Sequence, residues 1–147
     1  MIYMTVKAFV DTNIYIYALT KSQDQFDQNK RIIALSVFET LIESQSIVTS
    51  TQVLNEFHSN LVKKFKLEDA IVFNIVEQNI LPISLIAPIS FQTYHSAYCL
   101  RSEYSLSFWD SLIVASALEN NCTTLYSEDM QHRQNIENQL IIINPFK

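Results

Sequence analysis

Short apolar runs alternate along the chain with longer segments whose apolar residues recur at helical spacing. The short runs predict five strands, at 6–10, 47–50, 80–86, 122–126 and 140–143. Because runs such as 140–143 are apolar on both faces, they are typical of parallel strands covered by helices on both sides. We therefore expect one α/β domain over residues 1–147, with three α/β/α layers and a mainly parallel sheet of about five short strands.

The longer segments predict six helices, at 12–19, 32–42, 51–62, 67–77, 91–101 and 107–119. Ser50 or Thr51 is placed to cap the third of these helices, and Asn120 and Asn121 form a stop signal after the last. The polar segment 21–30 is expected to be a loop. Pro82 cannot donate a ladder hydrogen bond, so it predicts that the third strand lies at an edge of the sheet.

Four acidic residues are predicted to meet at one edge of this sheet. Asp11 directly follows the first strand and Asp129 lies just beyond the fourth, while Glu56 and Asp110 lie early in helices that begin at the same edge. Ligands bind parallel sheets at the carboxyl ends of the strands. Carboxylates gathered there need either a cation or raised pKa values, because like charges repel at close range. Oxygen ligands alone suit Mg²⁺ or Mn²⁺ and not zinc.

Each acid also has an ordinary structural explanation. Asp11 could cap the helix that follows it, and Glu56 could form an ion pair with Lys63 or Lys64. Asp110 could be the last position of a capping box that starts at Ser107. Asp129 could simply begin a turn. Independent caps and turns need not face one cleft. The predicted convergence of all four therefore favours a metal site.

Composition excludes several other kinds of site. The chain has no glycine, so phosphate-binding loops of the Walker and Rossmann types are excluded, and Asn120, Asn121 and Asn144 are expected to take the left-handed turn positions. Its 48% hydrophobic content supports a core, and its net charge of −5 argues against a broad phosphate-binding surface. No segment resembles a membrane span or a signal peptide, so we expect a cytoplasmic protein without membrane contact.

Three further features have a functional and a structural interpretation. Trp109 could stack on a base, but a single aromatic beside core positions favours packing. The lysines at 63, 64 and 66 fit a solvated helix face better than a phosphate-binding patch. His132, close after Asp129, is the one histidine that merits a test, and the role of Glu128 stays open.

Four segments in series carry a resemblance to a known family: AFVDTN at 8–13, STQVLNEF at 50–57, SFWDSLIVASALENNC at 107–122 and LYSEDMQH at 125–132. Together they resemble the PIN-domain ribonucleases, specifically the VapC-like toxins of bacterial toxin-antitoxin pairs. The resemblance implies that the catalytic and metal-binding acids are Asp11, Glu56, Asp110 and Asp129, and that supporting positions are Thr12, Asn13 and Ser127. Family members often carry glycine where this chain has Asn121 and Arg133.

By this resemblance we expect a Mg²⁺- or Mn²⁺-dependent endoribonuclease that hydrolyses RNA phosphodiester bonds, is inhibited by a cognate antitoxin protein and forms homodimers. Aromatic residues beyond the apparent need of one core also favour a dimer: Tyr15, Tyr17, Phe38, Phe65, Phe73 and Tyr94. One alternative is an inactive PIN-like binding module. Another is a phosphatase-type hydrolase with Asp11 as nucleophile, which is disfavoured because Asn13 stands where such enzymes carry a second Asp.

Overall fold

The computed structural model describes residues 6–22, 24–44 and 46–147, which contain a six-stranded sheet. The strands are β1 (Lys7–Val10), β2 (Ser46–Ser50), β3 (Ser84–Ala87), β4 (Thr124–Tyr126), β5 (Asn135–Ile136) and β6 (Leu140–Ile143). They lie in the order β3-β2-β1-β4-β6-β5, and every neighbouring pair is parallel except β5 with β6. The predicted mainly parallel α/β fold is confirmed.

The described α-helices are α1 (Thr12–Leu19), α2 (Gln25–Ser44), α3 (Thr51–Phe65), α4 (Asp69–Ile75), α5 (Phe91–Tyr104) and α6 (Phe108–Glu119), and a π-helical turn, Val76–Ile80, continues α4. Side chains of Asp11, Ser50 and Ser107 accept hydrogen bonds from the first turns of α1, α3 and α6. These caps satisfy backbone donors that have no partner within a helix. None of the described helices is long and apolar enough to cross a membrane.

The central strands bring two loops of the site together. Val10 of β1 pairs with Tyr126 of β4, and the next residue, Asp11, donates its backbone N–H to the Tyr126 carbonyl at 3.0 Å. Ala8, Phe9 and Val10 are fully buried in the core. Because β1 and β4 are parallel, the residues that follow them, Asp11 and Ser127, emerge side by side.

Three elements differ from the sequence prediction. Helix α2 begins at Gln25 within the expected loop, because the Asp24 carboxylate accepts the Phe26 N–H at 2.8 Å and acts as a cap. Strand β3 begins at Ser84 and not at residue 80, since the π-helical turn and the turn after it occupy the intervening positions. It lies at the sheet edge, as predicted from Pro82.

The third difference is β5, which the sequence analysis missed. It has only two residues, Asn135 and Ile136, and pairs antiparallel with β6. Two residues are too few to show an alternating pattern. Its existence depends on the adjacent turn, where Glu137 and Asn138 have φ values of 55° and 54°.

Left-handed backbone occurs at both positions where family members often carry glycine: φ is 59° at Asn121 and 68° at Arg133. The expectation for Asn120 and Asn144 was wrong, because φ is −96° at Asn120 and Asn144 is not among the described residues with positive φ. Asn144 is instead buried, and its side chain bonds the Glu128 carbonyl and the Phe146 N–H.

The expected surplus of aromatic residues is smaller than the sequence suggested. Tyr15 and Phe38 belong to the core, where their ring centroids lie 5.0 Å apart. Phe65, Phe73 and Tyr94 are exposed. Only these three of the six can offer a large apolar surface to a second copy.

Candidate active site

Asp11 is the most buried of the four acids. Its Oδ1 accepts the backbone N–H of Thr12 at 2.7 Å, and its Oδ2 accepts the hydroxyl of Ser127 at 2.9 Å. The helix cap suggested by the sequence is therefore real, but it uses only one of the two oxygens. The other joins Asp11 to the loop after β4.

Asp129 is held close to Asp11 through one shared partner, Ser127. Ser127 Oγ accepts the Asp129 backbone N–H at 3.3 Å, and Asn13 Nδ2 donates to Asp129 Oδ2 at 3.1 Å. Ser127 therefore contacts both acids, and Asn13 fixes the orientation of the Asp129 carboxylate from the first turn of α1.

Glu56 reaches the same cleft from α3. Its Oε2 accepts the Thr12 hydroxyl at 2.9 Å and its Oε1 accepts Gln52 Nε2 at 3.0 Å. The ion pair with Lys63 or Lys64 considered from sequence does not form among the described residues. Both oxygens of Glu56 are oriented by neutral donors.

Gln52 was not identified from the sequence. Its amide is buried and also donates to the Trp109 carbonyl at 3.2 Å, so it connects Glu56 of α3 to the first turn of α6. The only sequence signal was its position one helical turn before Glu56. The contact with Trp109 spans 57 residues and needs the tertiary fold.

Asp110 lies half-buried in the first turn of α6. Its backbone N–H donates to Ser107 Oγ at 3.1 Å, which is one half of the capping box. Burial raises the pKa of Asp110, and the charges of Asp129 and Glu56 add to the rise. The structure thus brings all four predicted acids into one electrostatic neighbourhood.

Burial is the main cause of the raised pKa values. It raises the pKa of Asp11 from the ordinary 3.8 to about 6, against the opposing hydrogen bonds from Thr12 and Ser127 and with further contributions from Glu56 and Asp129. Burial also raises the pKa values of Asp110 and Asp129. These shifts follow from moving negative charge out of water and placing like charges together.

Glu128 and His132 have structural partners. Glu128 forms an ion pair with Lys30, whose ammonium lies 5.0 Å, 4.6 Å and 5.4 Å from the ring centroids of Tyr17, Phe26 and Phe146. His132 Nδ1 accepts the Asn144 backbone N–H at 3.0 Å. Lys30 therefore neutralises the acid next to Asp129, and no local sequence pattern identifies this long-range pair.

The four acids fit a hydrated divalent cation by donor chemistry. No three His, Cys, Asp or Glu side chains in the described ranges lie close enough together to hold a metal ion as one group. Mg²⁺ commonly keeps several waters and takes only one or two protein carboxylates, so an open arrangement of oxygen donors is compatible with it. Each ionised carboxylate offers about four acceptor sites, which leaves capacity beyond the hydrogen bonds seen at Asp11 and Glu56.

Comparison with known proteins agrees with this architecture. Residues 8–136 match the family model of the PIN domain. Among solved structures, VapBC2 from Rickettsia felis bound to a promoter DNA fragment has 24% identity and a TM-score of 0.66, covering 93% of this chain and 97% of that one. A comparison with curated protein sequences gives no match.

Two further solved structures share the fold. A toxin-antitoxin complex from Klebsiella pneumoniae has 21% identity and a TM-score of 0.66, covering 94% of this chain and 97% of that one. VapC20 of Mycobacterium tuberculosis, described as a sarcin-ricin loop cleaving toxin, has 19% identity and a TM-score of 0.61, covering 83% and 89%.

The raised pKa of Asp11 predicts a pH-dependent stability difference between wild type and Asp11→Asn in chelator. The buried carboxyl stabilises the fold fully below its ordinary pKa of 3.8, and this contribution is lost as pH rises through about 6. From pH 4 to pH 7 the wild type should lose roughly 2 kcal/mol relative to the variant. Urea unfolding across this range measures the difference, and a difference independent of pH would contradict the assignment.

Asp110→Asn should be at least as stable as wild type at pH 7 in chelator, because it relieves repulsion from Asp129 and Glu56 while Asn can still occupy the helix start. Millimolar Mg²⁺ should raise the melting temperature of wild type more than that of the variant, since binding to the native state stabilises it. Asp69→Asn is the matched control. Asp69 lies in the first turn of α4, pairs with His58, and should leave the Mg²⁺ shift unchanged. Equal shifts in wild type and Asp110→Asn would mean that Asp110 is only a capping residue.

Proposed function

Because this chain belongs to the PIN domain family, we propose that it is a Mg²⁺- or Mn²⁺-dependent endoribonuclease and the toxin of a toxin-antitoxin pair. The observation that carries the proposal is the placement of four acids along the carboxyl edge of the sheet, where hydrogen bonds from Thr12, Asn13 and Ser127 orient Glu56, Asp129 and Asp11. Those three donors are the supporting positions that the family resemblance implied.

In this proposal Asp11, Asp110 and Asp129 hold the cation directly or through water. When bound, Mg²⁺ or Mn²⁺ supplies positive charge that acidifies a water and stabilises the leaving oxygen. Asp11, with a pKa of about 6, is mostly ionised at pH 7 and can contribute its charge. Glu56, with both oxygens fixed by Thr12 and Gln52, binds a second ion or orients the attacking water.

RNA is the proposed substrate because VapC20, which shares this fold, is described as cleaving the sarcin-ricin loop. The phosphatase alternative is weaker here. It needs a second acid two residues after Asp11, and Asn13 occupies that position with its amide donated to Asp129. An inactive binding module is disfavoured because all four acids are present and three of them, Asp11, Glu56 and Asp129, are oriented by hydrogen bonds.

Asp11→Asn and Asp110→Asn should each lower the rate of RNA cleavage by at least about a hundredfold, because each change removes a charged ligand from the ion that activates water. Labelled RNA with purified, partner-free protein and Mn²⁺ measures this rate. Asp69→Asn should cleave like wild type, and excess chelator should stop cleavage by all forms. Full cleavage in chelator, or by both acid variants, would disprove the proposal.

We also propose a small antitoxin whose Arg or Lys side chain enters the acidic cleft and competes with the cation. The carboxylates are paired with neutral donors, so a cationic side chain gains strong charge-assisted hydrogen bonds there. The structural neighbour from Klebsiella pneumoniae is described as a toxin-antitoxin complex, and this supports a protein partner. The product of the neighbouring reading frame should co-purify with wild type, and its affinity should fall about tenfold for Asp110→Asn. Failure to co-purify would remove the antitoxin proposal and leave the nuclease proposal intact.

A homodimer is proposed on the exposed aromatic residues Phe65, Phe73 and Tyr94. Exposed apolar side chains of this size favour burial against a second copy, and symmetric dimers bury each patch twice. Light scattering at micromolar concentration should give the mass of two chains, and Phe73→Ser with Tyr94→Ser should reduce it to one. A monomer mass for wild type would contradict the proposal.

A further inference from the structure

A groove of about 550 Å³ lies directly beside the acidic cleft, between α3 and the first turns of α6. Glu56 belongs to both the groove and the cleft. Ile89, Leu112 and Trp109 give the groove apolar walls, and the amides of Gln52 and Asn55 add polar groups. Apolar clefts with a few fixed polar groups are typical ligand sites.

Trp109 is the only tryptophan of the chain, and 62% of its surface is exposed. The interpretation of this residue as core packing was therefore wrong. Its indole packs edge-on against Phe108, with centroids 5.4 Å apart and planes at 73°. The hydrogen bond from Gln52 to the Trp109 carbonyl fixes the backbone at this point relative to Glu56.

An exposed tryptophan beside an acidic site can supply RNA affinity that electrostatic attraction does not. The chain carries a net charge of −5, and the cleft gathers four carboxylates, so phosphate attraction alone supplies little affinity. Stacking of a base on an aromatic ring does not depend on charge and tolerates any base. A base in this groove would lie against Glu56, so it would belong to a nucleotide adjoining the phosphate at the acids.

We propose that the groove binds the base of a single-stranded nucleotide next to the scissile phosphate, with Trp109 as its stacking surface. The Asn55 amide, which offers both a donor and an acceptor, lies where it can contact the edge of that base. Gln52 acts as a positioning residue that ties the stacking surface to Glu56. This inference rests on the proposed ribonuclease function, and it identifies the base next to the scissile phosphate as a part of the substrate that the protein binds.

Fluorescence of Trp109 tests the proposal directly, because no other tryptophan contributes. In chelator, which prevents cleavage, a single-stranded RNA hexamer should quench the emission with saturation. A hexamer of the same length built from abasic nucleotides should bind at least about tenfold more weakly. Equal quenching by both hexamers would mean that phosphate and not base is bound, and would overturn the inference.

Variants separate stacking from folding. By anisotropy of labelled RNA, Trp109→Leu should bind at least about tenfold more weakly and Trp109→Phe should retain most affinity, since it keeps a ring. Phe91→Leu is the matched control, because Phe91 is 81% exposed but lies outside the groove lining. Melting temperatures establish that each variant is folded. Unchanged RNA affinity in a folded Trp109→Leu would overturn the inference.

Two further outcomes keep the inference distinct from the proposed function. Base-dependent quenching without any cleavage in Mg²⁺ or Mn²⁺ would support the groove and contradict the nuclease. Normal cleavage with no base-dependent quenching would support the nuclease and contradict the groove as a base-binding site.

A second copy of the chain is the other possible occupant of the groove. A change of emission with protein concentration alone, matched by a doubled mass, would assign the groove to that second copy and overturn the RNA assignment.

Discussion

The hydrogen bond between the Ser127 hydroxyl and the buried Asp11 carboxylate is the contact on which the site depends. It forms because β1 and β4 are parallel neighbours in register, so that the residues following both strands emerge together. Ser127 then also accepts the Asp129 N–H. Through one hydroxyl, the pairing of two short strands fixes the relative positions of two acids that are 118 residues apart in sequence.

The acids are oriented by neutral groups and not by cations. Thr12, Ser127, Asn13 and Gln52 donate to Asp11, Glu56 and Asp129, while Lys30 is paired with Glu128. Neutral donors hold geometry without cancelling charge, so the repulsion and burial that raise the pKa values remain. A bound divalent ion or a cationic side chain would reduce the repulsion between the carboxylates and favour their ionised form. The same electrostatic cost therefore supports the metal and the antitoxin proposals.

The sequence was sufficient to predict the parts of the structure that follow from a local pattern of apolar and polar residues. Apolar runs located β1, β2, β4 and β6 to within two residues, and the acids at strand ends and helix starts followed from that topology. Asn121 and Arg133 could be singled out from the resemblance, and both prove to have left-handed backbone. Residues that depend on long-range contacts could not be predicted in this way.

Gln52 and Lys30 illustrate the reason. The sequence shows Gln52 as one polar residue on a helix, and only folding brings it against the Trp109 carbonyl. Lys30 fell in a segment expected to be a loop, because the Asp24 cap was not recognised, and its partner Glu128 lies 98 residues away. Trp109 was assigned to the core from its neighbours, although the first turn of α6 leaves it at the surface.

The most direct test of a shared, cation-binding acid cluster is the pKa of Asp11, measured from the side-chain ¹³C carboxyl resonance assigned by comparison with Asp11→Asn. In chelator the resonance should titrate near pH 6, and in saturating Mg²⁺ its pKa should fall by at least about one unit, because an adjacent cation favours the ionised form. A pKa near 4 in chelator, or a value that Mg²⁺ leaves unchanged, would contradict the account.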